Sequence, residues 1–245
     1  MRRSRIYIDS DLALQGSVIL PVSSAHYVKN VLRLNTGQQI ILFNGKDAHE
    51  YIAEIEIQRK QIVATPVASG QGGHESTIKT TLMQAIGKPE HVDFLIQKTT
   101  ELGINQLSLF NSERTQHYLK GDRLQKKLAH WKNILTSACE QCGRNQLPVI
   151  SFHASFSSAL MEVSDSNKIM LDFEGSNFHQ IKGQCNQQAA FTLLVGAEGG
   201  LSGEEREHAR QAGFIPCLLG PRVLRMETAA ISIVTIIQHQ FGDMH

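Results

Sequence analysis

The stretch Phe191–Phe241 constrains the possible folds more than any other part of the chain. It contains two short apolar runs, Phe191–Val195 and Ile215–Leu219, each followed by a glycine and then by a helix with a recognisable start. Short apolar runs of this kind are typical of strands that are buried on both faces of a parallel sheet. In open α/β sheets, ligands bind beyond the carboxyl ends of such strands. The stretch therefore predicts two glycine loops lying side by side at a ligand site.

The first loop has clear local signals. Its glycines, within Gly196–Gly200, permit backbone conformations that residues with a Cβ resist, so a ligand can approach the main chain closely. Ser202 and Glu205 have the spacing of a capping box, which predicts that a helix begins there. Gly213 suits the position just after the last turn of that helix.

The composition of the loops indicates the kind of ligand. The sequence GAEGG matches neither of the common glycine-rich phosphate motifs, and Glu198 inside it would repel a phosphate. A ligand with a cationic centre, or one held by backbone groups, fits better. A pair of tight turns without any ligand is the alternative that the residues leave open.

Length and charge set broad limits. A chain of 245 residues with 41% hydrophobic residues can form one large domain or two modest ones. Its formal charge of +1 means that any contact with RNA must come from local patches. No apolar run approaches membrane-spanning length and the basic start lacks the apolar segment of a signal peptide, so we expect a cytoplasmic protein without a membrane partner.

The cysteines and histidines predict no metal site. Cys139 and Cys142 have a C-x-x-C spacing, but no second pair has ligand spacing and the two fall in a helical pattern. The 11 histidines are scattered without a metal-binding motif. We therefore expect free thiols.

Two regions differ in their periodicity. Residues 5–69 read as a small β-rich domain, a barrel around one helix at 24–34, with a hairpin turn at Asn44-Gly45. Its predicted strands are Arg5–Ile8, Gln39–Phe43, Tyr51–Ile57 and Ile62–Val67. The polar, glycine-rich segment Ser69–Gly73 reads as a linker. We place the domain boundary there, with residues 1–70 before it and 71–245 after it.

Strands and helices alternate after this linker. Alternation of this kind is typical of βαβ units and a mainly parallel sheet. Pro89 fits the first turn of a helix that ends at Gly103. The other predicted elements are strands Thr80–Ile86, Ile104–Phe110 and Ile169–Phe173 and a long helix from Asp122 to Cys142.

The two glycine loops carry a resemblance to a known family. The sequence VGAEGGLSGEE and, further on, LLGPRVLRMETA resembles the C-terminal signature of the SPOUT, or trefoil-knot, methyltransferases. It is closest to the family that methylates N3 of a uridine in small-subunit ribosomal RNA. Two positions depart from that family's pattern: Ala197 stands where proline is usual, and Met226 stands where threonine is usual.

The resemblance extends over most of the chain. Arg5-Ile6-Tyr7 and His26–Arg33 are similar to the start of the family's RNA-binding domain, which resembles a PUA fold. Gln97–Gly103, Ser112-Glu113-Arg114 and Glu140–Arg144 are similar to motifs in its second domain.

The resemblance implies a fold, an activity and a set of functional residues. The fold would be α/β, with a knotted, mainly parallel SPOUT domain after a small PUA-like β-barrel. The activity would be S-adenosylmethionine-dependent methylation of 16S ribosomal RNA, either free or in the small subunit. The protein would be a homodimer, and its last helix offers an interface. The residues expected around the cofactor are Leu171, Gly196, Glu198, Gly200, Leu218, Leu219, Gly220, Val223, Leu224 and Met226. The catalytic candidates are Arg225, Arg222, Arg5 and Glu227, and the candidates for RNA contact are Arg5, Arg33, Lys88, Arg114 and Arg144.

Some roles stay open on the sequence alone. Glu227 could act as a base or pair with an arginine, and Arg225 could serve catalysis or form a salt bridge to Glu227 or Glu198. Two other functions also remain: methylation of another RNA or another position, and RNA binding without catalysis, which the departures at Ala197 and Met226 would suit.

Overall fold

The computed structural model of the chain describes residues 3–46, 48–186 and 190–245. It divides into two compact units, of which the first comprises Met1–Glu75 with Thr136–Leu147 and the second Ser76–Leu135 with Pro148–His245. The predicted domain boundary after residue 70 does not account for the segment Thr136–Leu147, which belongs to the first unit although it comes much later in the chain.

The first unit is built on a five-stranded mixed sheet. Its strands are β1 (Arg5–Tyr7), β2 (Val18–Ile19), β3 (Gln39–Phe43), β4 (His49–Ile57) and β5 (Ile62–Gln71), in the order β1-β3-β4-β5-β2. Strand β1 runs parallel to β3, and the other neighbours are antiparallel. A short helix α1 (Val22–His26) continues as a π-helical turn, Tyr27–Val31, whose Val28 is fully buried in the core of this unit.

The predicted linker Ser69–Gly73 is wrong in its first part. Strand β5 continues to Gln71 because its last residues pair with the start of β4, from Tyr51↔Ser69 to His49↔Gln71. Backbone pairing needs no side chain, so a glycine-rich strand end resembles a linker in sequence. The predicted hairpin between β3 and β4 is confirmed by their antiparallel pairing.

The second unit is built on a six-stranded sheet in which all neighbouring strands are parallel. The strands are β6 (Thr80–Ala85), β7 (Gln106–Phe110), β8 (Val149–His153), β9 (Asn167–Asn177), β10 (Phe191–Val195) and β11 (Ile215–Leu218), in the order β11-β9-β10-β6-β7-β8. The predicted parallel sheet is thereby confirmed. The knot in the path of the chain stays a prediction.

Each strand of this sheet is followed in the sequence by a helix. They are α2 (Pro89–Glu101), α3 (Gly121–Cys142), α4 (Phe156–Leu160), α5 (Phe178–Ile181), α6 (Gly203–Gln211) and α7 (Met226–Phe241). Strand β8 was not predicted, because it is an edge strand whose Val149 is exposed and whose one buried residue is His153, so it lacks a buried apolar run. Within the described residues, no helix has the length and apolar character needed to cross a membrane.

The helix ends follow the local signals of the sequence. Pro89 is at the start of α2, and the capping box of Ser202 and Glu205 closes with both hydrogen bonds at the start of α6. Gly213 follows the end of α6 with φ +88°. Strand β10 is fully buried, as predicted for Phe191–Val195. Because the strands are parallel, the loops that follow β6, β7, β10 and β11 lie along one edge of the sheet.

Candidate functional site

A cavity of about 560 Å³ opens at the carboxyl edge of the parallel sheet. Its walls come from the loops after β6, β10 and β11, the middle of β9 and the starts of α2 and α7. Cavities of roughly 300–1,000 Å³ hold small molecules and cofactors in proteins. The cavity lies at the place where the two glycine loops predicted a ligand site.

The cavity collects most of the predicted site residues. Lining it are all the residues expected around the cofactor, namely Leu171, Gly196, Glu198, Gly200, Leu218, Leu219, Gly220, Val223, Leu224 and Met226. Three catalytic candidates, Arg222, Arg225 and Glu227, line it as well, and so does Lys88. These residues come from separate parts of the chain, which the sheet brings to one edge.

Glycine shapes both loops of the cavity. A Cβ on Gly196 would lie 2.7 Å from the carbonyl carbon of Gly200 and 2.8 Å from the backbone nitrogen of Leu201, so no other residue fits without moving the backbone. Gly220 has φ +105° and no atom within 4 Å of its ideal Cβ position. The first glycine lets the loop close on itself, and the second leaves open space beside the main chain.

A buried glutamine that the sequence did not single out holds the end of β10. Gln84 is fully buried, and its Nε2 donates to the carbonyl oxygens of Gly196 at 3.0 Å and Val195 at 3.3 Å. These bonds occupy carbonyls at the point where the strand becomes the glycine loop. No local pattern marks Gln84, because Val195 and Gly196 are more than a hundred positions away.

Glu198 gives the cavity a negative charge. Its Oε1 accepts a hydrogen bond from the backbone N–H of Lys88 at 2.9 Å and lies 3.3 Å from Nδ1 of His91. Burial acts to raise the pKa of this carboxyl, but the backbone N–H groups of Lys88 and Glu198 and the His91 ring outweigh it, so the pKa lies below its usual value. Gly87 permits this approach, since its Cβ would lie 2.7 Å from Oε2 of Glu198.

Glu227 lies deeper in the same cluster. It is 9% exposed, and its Oε2 lies 3.6 Å from Nδ1 of His91. Among the described residues this buried oxygen has no hydrogen-bond partner. A buried acceptor left without a donor is costly, which suits an atom that meets a donor on a ligand. His91 joins two carboxylates here and was not predicted, because the three residues are distant in sequence.

The two arginines of the second loop are free to contact a ligand. Arg222 and Arg225 are exposed at the cavity, and neither guanidinium forms an ion pair within the part of the chain that the structure describes. The salt bridge that was the alternative for Arg225 is therefore not formed. Arg225 is the N-cap residue of α7 without a side-chain cap, so its side chain has no part in starting the helix.

The motif Ser112-Glu113-Arg114 supports the first glycine loop. The buried carboxylate of Glu205 accepts hydrogen bonds from Oγ of Ser112 at 2.8 Å and from the backbone N–H of Glu113 at 3.0 Å. Nη1 of Arg114 donates to the carbonyl oxygen of Gly199 at 2.7 Å. These contacts give the motif a structural role, while contact of Arg114 with RNA stays a prediction.

Substitution of Glu205 tests this support. We expect Glu205→Gln to lower the free energy of unfolding by about 2–4 kcal/mol, because the amide loses charge-assisted hydrogen bonds and turns an N–H group toward buried donors. Urea denaturation measures the change. Glu204→Gln is the control, since Glu204 is exposed in the same helical turn. Equal losses in the two variants would contradict the supporting role.

The remaining arginine candidates lie in the first unit. Arg5 has a side chain 7% exposed; it forms an ion pair with Glu50 at 2.6 Å and also donates to Asn145. Arg144 is 2% exposed and binds Glu75 at 2.8 Å, so in this conformation it presents almost no surface to RNA. Arg33 is exposed, with φ +53°. The catalytic role of Arg5 and the RNA contacts of all three stay predictions.

The two departures from the family pattern are accommodated by packing. Ala197 is 6% exposed, and its carbonyl oxygen accepts a hydrogen bond from the backbone N–H of Gly200 at 2.9 Å, so the turn closes without proline. Met226 is 4% exposed and packs in the main core at the start of α7. Neither substitution opens the loops.

The cysteines and acidic groups have no metal-site geometry. Cys139 and Cys142 lie in α3 and are not joined in a disulfide, and burial raises the pKa of Cys139 to about 12. Such a thiol stays protonated and unreactive at neutral pH. Across residues 3–46, 48–186 and 190–245, no group of three or more potential ligands could hold a metal ion.

Comparison with known proteins identifies the family. Residues 74–238 match the family model of an RNA methyltransferase domain, and residues 20–67 match that of an RNA methyltransferase PUA domain. Ribosomal RNA small subunit methyltransferase E of Buchnera aphidicola subsp. Schizaphis graminum is 35% identical over 243 residues, which cover 99% of this chain and 98% of that protein. The chain belongs to the ribosomal RNA small subunit methyltransferase E family. The family predicted from the two glycine loops is thereby confirmed, together with the PUA-like first domain.

Solved structures of similar proteins share the whole fold. Ribosomal RNA small subunit methyltransferase E of Neisseria gonorrhoeae, bound to S-adenosylmethionine, is 30% identical with a TM-score of 0.89, and the match covers 100% of both chains. A Legionella pneumophila protein described as a methyltransferase, also in complex with S-adenosylmethionine, is 34% identical with a TM-score of 0.92 over 99% of this chain and 100% of that one. The methyltransferase E family fold therefore extends over both units.

Proposed function

We propose that this protein transfers a methyl group from S-adenosylmethionine to N3 of a uridine in 16S ribosomal RNA. The observation that carries the proposal is the cavity, where the expected cofactor residues meet Arg222, Arg225 and Glu227. The family membership supports the reaction class, and the similar solved structures with bound S-adenosylmethionine support the cofactor.

The residues of the cavity fit this cofactor. Gly220 leaves open space beside the backbone of the second loop, as a ligand held by the main chain requires, and Gly196 lets the first loop close tightly against Gly200 and Leu201. The ionised Glu198 suits a molecule with cationic groups, in contrast to a phosphate. Apolar side chains such as Leu171 and Leu219 provide the surface on which an adenine ring can pack. The backbone from Leu218 to Leu224, with Gly196 and Gly200, would hold the cofactor.

The other polar groups of the cavity suit the chemistry of uridine. S-adenosylmethionine supplies an electrophilic methyl group when it is bound. Uridine N3 carries a proton at neutral pH, and its loss leaves negative charge on the flanking carbonyl oxygens. Arg222 and Arg225 can stabilise that charge as preorganised donors, and the unpartnered Oε2 of Glu227 can accept the proton. His91 lies beside both carboxylates, with its Nδ1 3.6 Å from Oε2 of Glu227.

Oligomeric state, cellular location and RNA binding also belong to the proposed function. It acts as a homodimer in the cytoplasm, where ribosomal RNA is made and modified in bacteria, and α7 supplies part of the interface. The PUA-like domain, including Arg5 and Arg33, supplies RNA affinity, and Lys88, Arg114 and Arg144 add contacts. The match of residues 20–67 to an RNA methyltransferase PUA domain supports this division.

Mass spectrometry of modified nucleosides tests the function. Small-subunit ribosomal RNA, both free and in assembled subunits, is taken from cells that lack the gene and incubated with the protein and S-adenosylmethionine. We expect 3-methyluridine at a single site. Another methylated nucleoside would place the reaction at a different position, and no methylation together with no cofactor binding would indicate an RNA-binding protein without catalysis.

A further inference from the structure

Strand β9 has an irregularity beside the cavity. Its pairing with β11 runs from Ile215↔Ile169 to Pro216↔Met170 and then continues at Cys217↔Ser176. The intervening residues 171–175 therefore form a bulge that β11 does not pair. A Cβ on Gly175 would lie 2.5 Å from the backbone nitrogen of Cys217, so glycine is needed for the strands to close again behind the bulge.

Ion pairs of Asp172 and Glu174 with Arg206 and Arg210 fix this bulge to helix α6. Asp172, which is 8% exposed, lies 3.5 Å from Nη1 of Arg206 and 3.3 Å from Nη2 of Arg210. Glu174 lies 3.4 Å from the same Nη2, and its backbone N–H donates to Asp172 Oδ1 at 3.1 Å. Asp172 and Glu174 are thus both held toward α6, which fixes the direction of Phe173 between them.

That residue is a phenylalanine that contacts solvent. Phe173 is 66% exposed and lines the cavity. Val223, on the loop after β11, is 82% exposed and lines the same cavity. A single exposed apolar side chain is ordinary in proteins. Two of them at one cavity, one on a bulge that ion pairs hold to α6, indicate a surface that a ligand covers.

We propose that Phe173 forms a stacking subsite for a nucleobase of the RNA substrate, with Val223 at its border. This inference rests on the proposed function. Aromatic side chains stack on bases of single-stranded or extruded nucleotides, and the exposed Arg222 and Arg225 at the same cavity suit the charge of RNA. The adenine of the cofactor is the less suitable partner for Phe173. Buried apolar residues of the cavity, such as Met226, offer adenine a surface away from solvent, whereas Phe173 is exposed.

Fluorescence of Phe173→Trp tests the stacking directly. The chain has one tryptophan, Trp131, which is 1% exposed, so a tryptophan at position 173 supplies the accessible signal. With the protein saturated with S-adenosylhomocysteine, we expect a short oligouridylate to quench this fluorescence, because a base stacks on the indole ring. The parent protein should show little change under the same conditions.

Binding measurements with Phe173→Ala test the contribution to affinity. We expect the dissociation constant for the same oligouridylate to rise about tenfold, within the range measured for loss of one aromatic–base stack. Affinity for S-adenosylhomocysteine should stay at the parent value, and Phe173→Trp should retain RNA affinity. Phe94→Ala is the matched control, because Phe94 is 47% exposed on α2 and does not line the cavity.

Three outcomes would overturn the subsite. If S-adenosylhomocysteine alone quenches the tryptophan at position 173 and RNA has no further effect, the aromatic ring at this position contacts the adenine of the cofactor. Dissociation of a dimer on Phe173→Ala, seen by analytical ultracentrifugation, would assign it to contact with a second copy. Unchanged RNA affinity would remove the role altogether. Failure of the parent protein to bind S-adenosylhomocysteine is a separate result, which would count against the proposed function itself.

Discussion

Gly220→Val is expected to weaken the binding of S-adenosylmethionine by at least about a hundredfold, which corresponds to about 2.7 kcal/mol. Gly220 lines the cavity, and its ideal Cβ position has no atom within 4 Å. A branched side chain therefore enters the space in which the backbone must meet the cofactor. Isothermal titration calorimetry with the purified variant measures the loss.

The conformation of Gly220 requires a matched control. Its φ of +105° is unfavourable for valine, so the substitution also lowers stability. Gly213 has φ +88°, also with no atom near its Cβ position, but it follows α6 and does not line the cavity. We expect Gly213→Val to lose similar stability and to keep full cofactor affinity. Retained affinity in Gly220→Val, or equal losses in both, would place the cofactor elsewhere.

Arg225→Lys is expected to slow single-turnover methyl transfer by about tenfold to a thousandfold, or about 1.4–4 kcal/mol in the activation free energy. The guanidinium of Arg225 is exposed at the cavity, and no described carboxylate pairs with it. Lysine keeps the charge but loses the planar pair of donors that can bind a uridinate oxygen. Dissociation constants for S-adenosylmethionine and RNA should change little, because the interaction forms in the transition state.

Rapid-quench kinetics at saturating enzyme measure this rate, and calorimetry measures both affinities. Arg123→Lys, at an exposed position of α3 outside the cavity, should react at the parent rate. If Arg225→Lys also reacts at the parent rate, or if it loses binding and melts at a lower temperature, Arg225 does not act on the transition state.

Much of the second unit was predictable because its signals are local. The capping box of Ser202 and Glu205 joins residues three positions apart, and both of its hydrogen bonds form. Strand β10 has the predicted bounds, since a fully buried strand needs an uninterrupted apolar run. Edge strand β8 and the glycine-rich end of β5 were not predicted, because their residues are defined by the strands beside them.

The charged groups show the same contrast between what a local motif predicts and what depends on distant residues. Arg222 and Arg225 were identified through a motif and lie at the cavity. Arg144 belongs to an equally clear motif, but it is buried against Glu75, a partner 69 positions away. A motif identifies residues that a family needs; it does not separate those that contact the ligand from those that hold the fold.

By itself the sequence determined the starts of α2 and α6, the buried strand β10, the family and the two glycine loops that line the cavity. Each of these depends on residues within a few positions of one another or on a motif that can be read along the chain. Only the tertiary structure decided that His91 lies between Glu198 and Glu227, 107 positions from the first of them, and that Phe173 lines the cavity from a bulge opposite β11. The physical reason is that these contacts join residues of different strands and loops, and the order and register of strands in a sheet are set by packing of the whole unit.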